Sequence, residues 1–143
     1  MSEPRAPLTL DLVWQGDLRF GGTSGGTSIV LDSDGVTGPS PVQALAFGLA
    51  GCMAMDVVHI LRKGRSRIDA VTVQLVAHRA NEEPKRIVGV EAHFVLAGDM
   101  SPGKVERAIG LSRAKYCSVW HSLRQDIVFT TSFVVGGREA PSQ

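Results

Sequence analysis

The alternation of apolar and polar positions divides the chain into short strand-like segments around one long, nearly continuous apolar run. Leu8 to Trp14 alternates as a strand does, Gln15, Gly16 and Asp17 turn the chain, and Leu18 to Thr23 returns it. Gly21, Gly22, Gly25 and Gly26 surround a second turn, after which Thr27 to Leu31 reads as a third strand. No Lys-Ser/Thr pair and no helix start follow these glycines, so a hairpin turn suits them better than a phosphate-binding loop. Asp32 to Pro39 is a polar connection.

Ser40 to Gly64 is the apolar run. Ser40 can cap free N–H groups of a first turn, and Pro41 suits the first helical position. Arg62 and Lys63 complement the negative end of the helix dipole, and Gly64 is placed for a left-handed exit. Ala46, Gly48, Ala50 and Gly51 allow close approach of other backbones. A helix apolar on nearly every side is expected to be buried on most of them. A membrane span is the rival reading, opposed by Asp56 and His59, which are costly in hydrocarbon.

Beyond the helix, Ile68 to Arg79 alternates through Val71, Val73, Leu75 and Ala77. Asn81 to Pro84 turns the chain and Ile87 to Leu96 returns it, giving an antiparallel hairpin with one buried face. Ser101 and Pro102 repeat the Ser-Pro start, with Val105, Ala108, Ile109 and Ser112 at helical spacing. Tyr116 and Cys117 end that helix or begin a short one through Leu123. Ile127 to Val135 is a last strand, and the tail from Gly136 reads as frayed. The order is β-β-β-α-β-β-α-β, an α+β fold in a single domain over residues 1–143 with its core at about 8–135. One small sheet cannot cover a helix that is apolar all round, so a homodimer is expected.

Composition changes this picture little. A chain of 143 residues with 43% hydrophobic and 20% charged residues is ordinary for a globular domain, and a net charge of +1 advertises neither nucleic acid nor a membrane surface. The basic cluster Arg62, Lys63, Arg65 and Arg67 coincides with the helix exit and reads as a dipole complement. Met1 to Pro7 has no apolar core and carries Glu3, so no secretory signal is expected. Two cysteines do not make a disulfide scaffold at this length, and the cytoplasm is the expected compartment.

Candidate chemistry rests on Cys52 and Cys117, which can equally be buried small hydrophobes. Asp56 lies one turn after Cys52 and His121 one turn after Cys117. No Cys-x-x-Cys or His-x-x-x-His spacing supports a zinc site there, so neither metal nor cofactor is expected. His59, His78 and His93 are scattered over separate elements, and no Gly-x-Ser-x-Gly turn supports a serine hydrolase.

Two segments carry a resemblance. Ser40-Pro-Val-Gln-Ala-Leu45, continued by Ala50-Gly-Cys-Met-Ala-Met-Asp-Val-Val-His-Ile-Leu61, resembles the central helix of the osmotically inducible protein C and organic hydroperoxide resistance family (OsmC/Ohr). Leu111 through Tyr116, Cys117, Ser118 and Val119 resembles that family's second cysteine motif. The likeness covers roughly Leu8 to Val135 and includes the element order. It implies an intertwined homodimer with two thiol sites at the subunit interface. It implies that Cys52 attacks an organic hydroperoxide as thiolate and becomes a sulfenic acid, that Cys117 closes a disulfide with it, and that a dithiol reductant, lipoyl-type in the hydroperoxide-reducing branch, reopens the bond.

Cys52 is mid-helix and cannot use its own helix N-terminus, so an arginine from elsewhere is expected to stabilise the developing charge. Hydroperoxide-reducing members carry that arginine in a Gly-Gly-Arg-Asp-Gly loop, held by a glutamate at the start of the central helix. Here the loop reads Gly21-Gly-Thr-Ser-Gly-Gly26, and Val42 and Gln43 stand where glutamate is found. Arg19 is the nearest candidate cation and Gln43 its candidate holder, which resembles the divergent OsmC-like branch. A reading from a different class is a non-catalytic protein that binds a hydrophobic small molecule at the dimer interface.

Overall fold

The segmentation reappears in the computed structural model, which describes residues 3–136 and the backbone of 138–140. Internal contacts divide the chain into two compact units, Met1–Leu45 and Ala46–Gln143. The reason is visible in the strand pairing: among the described residues the first three strands form a sheet of their own.

In the first unit, β1 (Asp11–Trp14), β2 (Arg19–Ser24) and β3 (Thr27–Asp32) form an antiparallel meander in the order β1-β2-β3. β1 is shorter than Leu8 to Trp14. The glycines make the expected two-residue hairpin, with Gly25 at positive φ and Ser24 paired with Thr27. Several apolar side chains of this sheet are exposed: Leu12, Val13, Trp14, Phe20 and Ile29.

The connection after β3 is tied by one carboxylate. Buried Asp32 accepts the N–H of Asp34 (3.0 Å), the N–H of Thr37 (3.0 Å) and the Thr37 hydroxyl (2.9 Å). The N–H groups of Thr37 and Asp34 hold its carboxyl at about 2, below the ordinary 3.8. A depressed carboxylate stabilises the fold above the unfolded pKa, and that stabilisation is lost as the pH falls through the folded one. Asp32→Asn should therefore unfold more readily at pH 6 and lose less stability than wild type between about pH 4 and pH 2, as followed by denaturant titration. Equal pH slopes for the two proteins would remove Asp32 from the acid response. Gly38 approaches β3 so closely that a Cβ would collide with the Val30 carbonyl.

In the second unit, β4 (Arg67–Arg79), β5 (Ile87–Asp99), β6 (Val128–Val135) and β7 (Arg138–Ala140) lie in the order β4-β5-β6-β7. The first pair is the expected antiparallel hairpin. β5 and β6 run parallel, which requires the crossover supplied by α2 (Pro102–Leu111). The backbone of β7 pairs with β6 where the sequence reads as a frayed tail, because β6 has a free edge that extended chain can use. Val90, Ala92, Phe94 and Leu96 on β5, Phe129 and Phe133 on β6, and Val105, Ala108 and Ile109 on α2 are buried in one core cluster.

The long helix, α1 (Pro41–Lys63), starts and stops within a residue of the expected ends. Its exit differs in detail. Ser66 N–H bonds to the Leu61 carbonyl and Arg65 N–H to that of Arg62, a Schellman closure that puts the left-handed residue at Arg65, one position beyond Gly64. Its burial differs more. Leu49, Met53, Val57 and Leu61, four residues apart, are the buried stripe, while Phe47 and Met55 are 72% and 73% exposed. Within one chain the helix is therefore buried on one side, not on most.

Candidate functional site: two thiols and a carboxylate

Cys52 projects from α1 beside the buried stripe and is half-buried. Cys117 comes from a part of the chain where helical spacing breaks. After α2, Ser112–Tyr116 forms one π-turn, closed by the Cys117 N–H on the Ser112 carbonyl at 2.8 Å. Cys117 then caps α3 (Ser118–His121), its sulfur accepting the Trp120 N–H at 3.3 Å. It is fully buried in the core cluster.

This arrangement brings together two thiols that are far apart in sequence. The Cys52 Sγ, the Cys117 Sγ and a carboxylate oxygen of Asp56 all lie within 4.8 Å of one another. The Ser118 hydroxyl stands 3.8 Å from the Cys52 sulfur. Asp56, one helical turn beyond Cys52, accepts the hydroxyl of fully buried Ser112 at 2.8 Å. Asp56 also lines a cavity of about 510 Å³ with His59, Lys63, Arg107 and Tyr116.

The environment separates the two thiols electrically. Burial pushes the Cys52 thiol up, but the Val119 N–H, the Cys117 thiol and the Ser118 hydroxyl and N–H outweigh it, leaving Cys52 below its ordinary 9.0. Burial pushes Cys117 up to about 11; the Trp120 N–H opposes the rise, and the neighbouring Cys52 sulfur adds to it. Cys52 is thus the more readily ionised of the two thiols and Cys117 the one that holds its proton more tightly. The donors that favour the thiolate come from the turn around Cys117, where the sequence suggests only an arginine.

Arg19 and Gln43 belong to the first unit and have local partners there. Arg19 pairs with Asp17 at 2.9 Å. Gln43 accepts the Ser40 N–H at 2.9 Å, and the Ser40 hydroxyl accepts the Gln43 N–H at 3.2 Å. This reciprocal pair is a capping box, which accounts for a glutamine at this position without any arginine. Among the described residues no hydrogen bond joins Gln43 to Arg19.

The profile of the family described as OsmC-like protein matches residues 32–132, most of the chain and both cysteine segments. The chain belongs to the OsmC family. It is 36% identical over 125 residues to protein YhfA of Escherichia coli strain K12, covering 85% of this chain and 93% of that protein. A hypothetical protein of Aquifex aeolicus VF5 superposes on it at a TM-score of 0.85 and 24% identity, covering 92% of this chain and 97% of that one. A Legionella pneumophila protein titled organic hydroperoxide resistance protein OsmC superposes at a TM-score of 0.70 and 14% identity, covering 93% of this chain and 100% of that one. At these identities the two structures show the fold alone. α1 has the length and composition to cross a membrane, a test that the core helix of a soluble protein also passes.

Proposed function

We propose that this OsmC-family chain is a thiol peroxidase for organic hydroperoxides, with Cys52 as the attacking thiolate and Cys117 as the resolving thiol. The observation that carries the reading is the convergence of the two sulfurs with opposite displacements of their pKa values. The Cys52 thiolate attacks the terminal peroxide oxygen, the O–O bond breaks, and the products are a Cys52 sulfenic acid and an alkoxide. The Cys117 proton, already directed at this site, neutralises the alkoxide. The Cys117 thiolate so formed attacks the sulfenic sulfur, and the hydroxyl leaves as water once protonated by solvent. A dithiol reductant, lipoyl-type by family resemblance, takes the disulfide back to two thiols in a cytoplasmic compartment.

The working unit of this reading is a homodimer. Support comes from the apolar residues that one chain leaves uncovered, on β1 and β2 in one unit and on α1 in the other. Phe47 and Met55 stand beside half-buried Ala54 and Val58, and with Val71 and Val73 these residues line an open cavity of about 580 Å³. The same cavity supports the second reading, a protein that holds a hydrophobic small molecule without chemistry. Rapid mixing of reduced protein with cumene hydroperoxide separates the two. Loss of both thiols at a rate far above that of free cysteine supports the peroxidase, and unchanged thiols support the binding protein.

Arg19 is the remaining candidate cation. If it stabilises the departing oxygen, Arg19→Ala should slow the reaction with hydroperoxide by about a hundredfold without changing the melting temperature. A wild-type rate in Arg19→Ala leaves the activation to the donors around Cys117. Gln43→Glu keeps an acceptor for the Ser40 N–H, so it should fold normally and test only the added charge.

A further inference from the structure

The carboxylate beside the two thiols has no task in the scheme above, and a negative group near a thiolate does not favour its formation. Cys52 and Asp56 stand one turn apart on the same face of α1, a spacing at which two side chains can hold one ion. Cys117 reaches the same point from the far side, and all three donor atoms lie within 4.8 Å of one another. Tetrahedral zinc, with bonds of about 2.3 Å to sulfur and about 2.1 Å to oxygen, needs donors separated by about 3.6–3.8 Å. A contraction of about 1 Å through side-chain rotation reaches that geometry. Two sulfurs and one carboxylate oxygen suit a borderline-soft divalent ion better than magnesium or calcium.

The surroundings are those of a ligand set. Ser112, wholly buried, donates to the Asp56 carboxylate at 2.8 Å and fixes its direction, as outer-shell donors fix metal-binding carboxylates. The Ser118 hydroxyl stands at 3.8 Å beside the Cys52 sulfur. Three protein ligands leave a fourth position for water, and Asp56 borders the cavity of about 510 Å³.

We infer that the reduced chain binds one zinc-type divalent cation through Cys52, Cys117 and Asp56. Binding displaces the Cys117 proton to solvent, and the ion then occupies both thiolates and shields them from peroxide and from alkylation. Oxidation and metal binding exclude each other. When a hydroperoxide takes two electrons from the two thiolates, the sulfurs join, the O–O bond breaks, two protons yield alcohol and water, and the cation leaves. The inference rests on the shared thiol site, but its test needs no peroxide.

Reduced, chelator-treated full-length protein is titrated anaerobically with cobalt(II), then with zinc against a chromophoric chelator. The expected result is one cobalt per chain with a thiolate-to-cobalt charge-transfer band, displaced by zinc, and zinc-dependent protection of Cys52 from iodoacetamide. Asp56→Asn should lose the tetrahedral cobalt spectrum while keeping both thiols countable. Ser112→Ala should weaken zinc binding by about 10–100-fold. Asp56 is only half-buried, so Asp56→Asn decides the outcome should the buried Ser112 variant fail to fold. Zinc binding that is absent, or as tight in Asp56→Asn as in wild type, overturns the site, whereas a failed peroxide assay leaves it standing.

Discussion

Cys52→Ser should abolish the reaction with organic hydroperoxides, lowering the rate constant by on the order of 10⁴-fold or more in chelator-treated protein. The hydroxyl that replaces the thiol is un-ionised at neutral pH and is a far poorer nucleophile toward oxygen. The donors around the site, from Val119 and Ser118, cannot compensate, because they stabilise an anion that serine does not form. Cys117→Ser should behave differently. Its serine can still donate toward Cys52, so the first step survives, but no thiol follows to resolve the product. A sulfenic acid should accumulate and react with dimedone, with one turnover and then arrest. Should Cys117→Ser turn over with dithiol reductant as fast as wild type, the resolving role belongs elsewhere. Should Cys52→Ser retain activity, the pair is assigned in the wrong order.

The second large effect concerns assembly. Phe47 and Met55 stand almost bare on α1, and Val13 and Trp14 are 66% and 65% exposed on β1. In the proposed homodimer these surfaces meet a second copy of the chain. Burying one large apolar side chain contributes about 1.5–3 kcal/mol, so Phe47→Glu with Met55→Glu removes about 3–6 kcal/mol and adds the desolvation of two carboxylates. Both chains of the dimer carry the substitutions, so the loss doubles to about 6–12 kcal/mol, a loosening of about 10⁴–10⁹-fold in the dimer dissociation constant. Sedimentation equilibrium should find a dimer for wild type at micromolar concentration and a monomer or an unfolded chain for the double variant. A wild-type monomer at that concentration would contradict the proposal.

How far the sequence discloses the fold depends on how local each cause is. The ends of α1 are legible because Ser40, Pro41, Lys63 and Gly64 act within one turn. Even there, the left-handed residue is Arg65, since the Schellman bonds fix a register that composition does not. The hairpin of β4 and β5 is legible from Val71, Val73, Leu75 and Ala77, which alternate without interruption. The depth of burial of α1 is not legible. An all-apolar helix implies cover on every side, and one chain covers only the stripe from Leu49 to Leu61.

The site follows the same rule. Both cysteines stand out in the sequence, but their pairing follows from family resemblance rather than from spacing. Asp56 is visible one turn after Cys52, yet sequence patterns for metal binding are local and Cys117 is distant. Ser112 reads only as a core-facing helical position. Its hydrogen bond to Asp56 crosses 56 positions and depends on the π-turn that follows, which no period of 3.6 or 2 reveals. Gln43 reads as the holder of an arginine, and its bonds with Ser40 at its own helix start are a second use that composition does not reveal.

The thiol pair itself is tested by the intact mass of the reduced wild-type chain after one equivalent of cumene hydroperoxide. The proposed mechanism predicts a loss of two hydrogens, no countable thiol, and a peptide map joining Cys52 to Cys117. A chain that keeps its mass and both thiols under those conditions contradicts it.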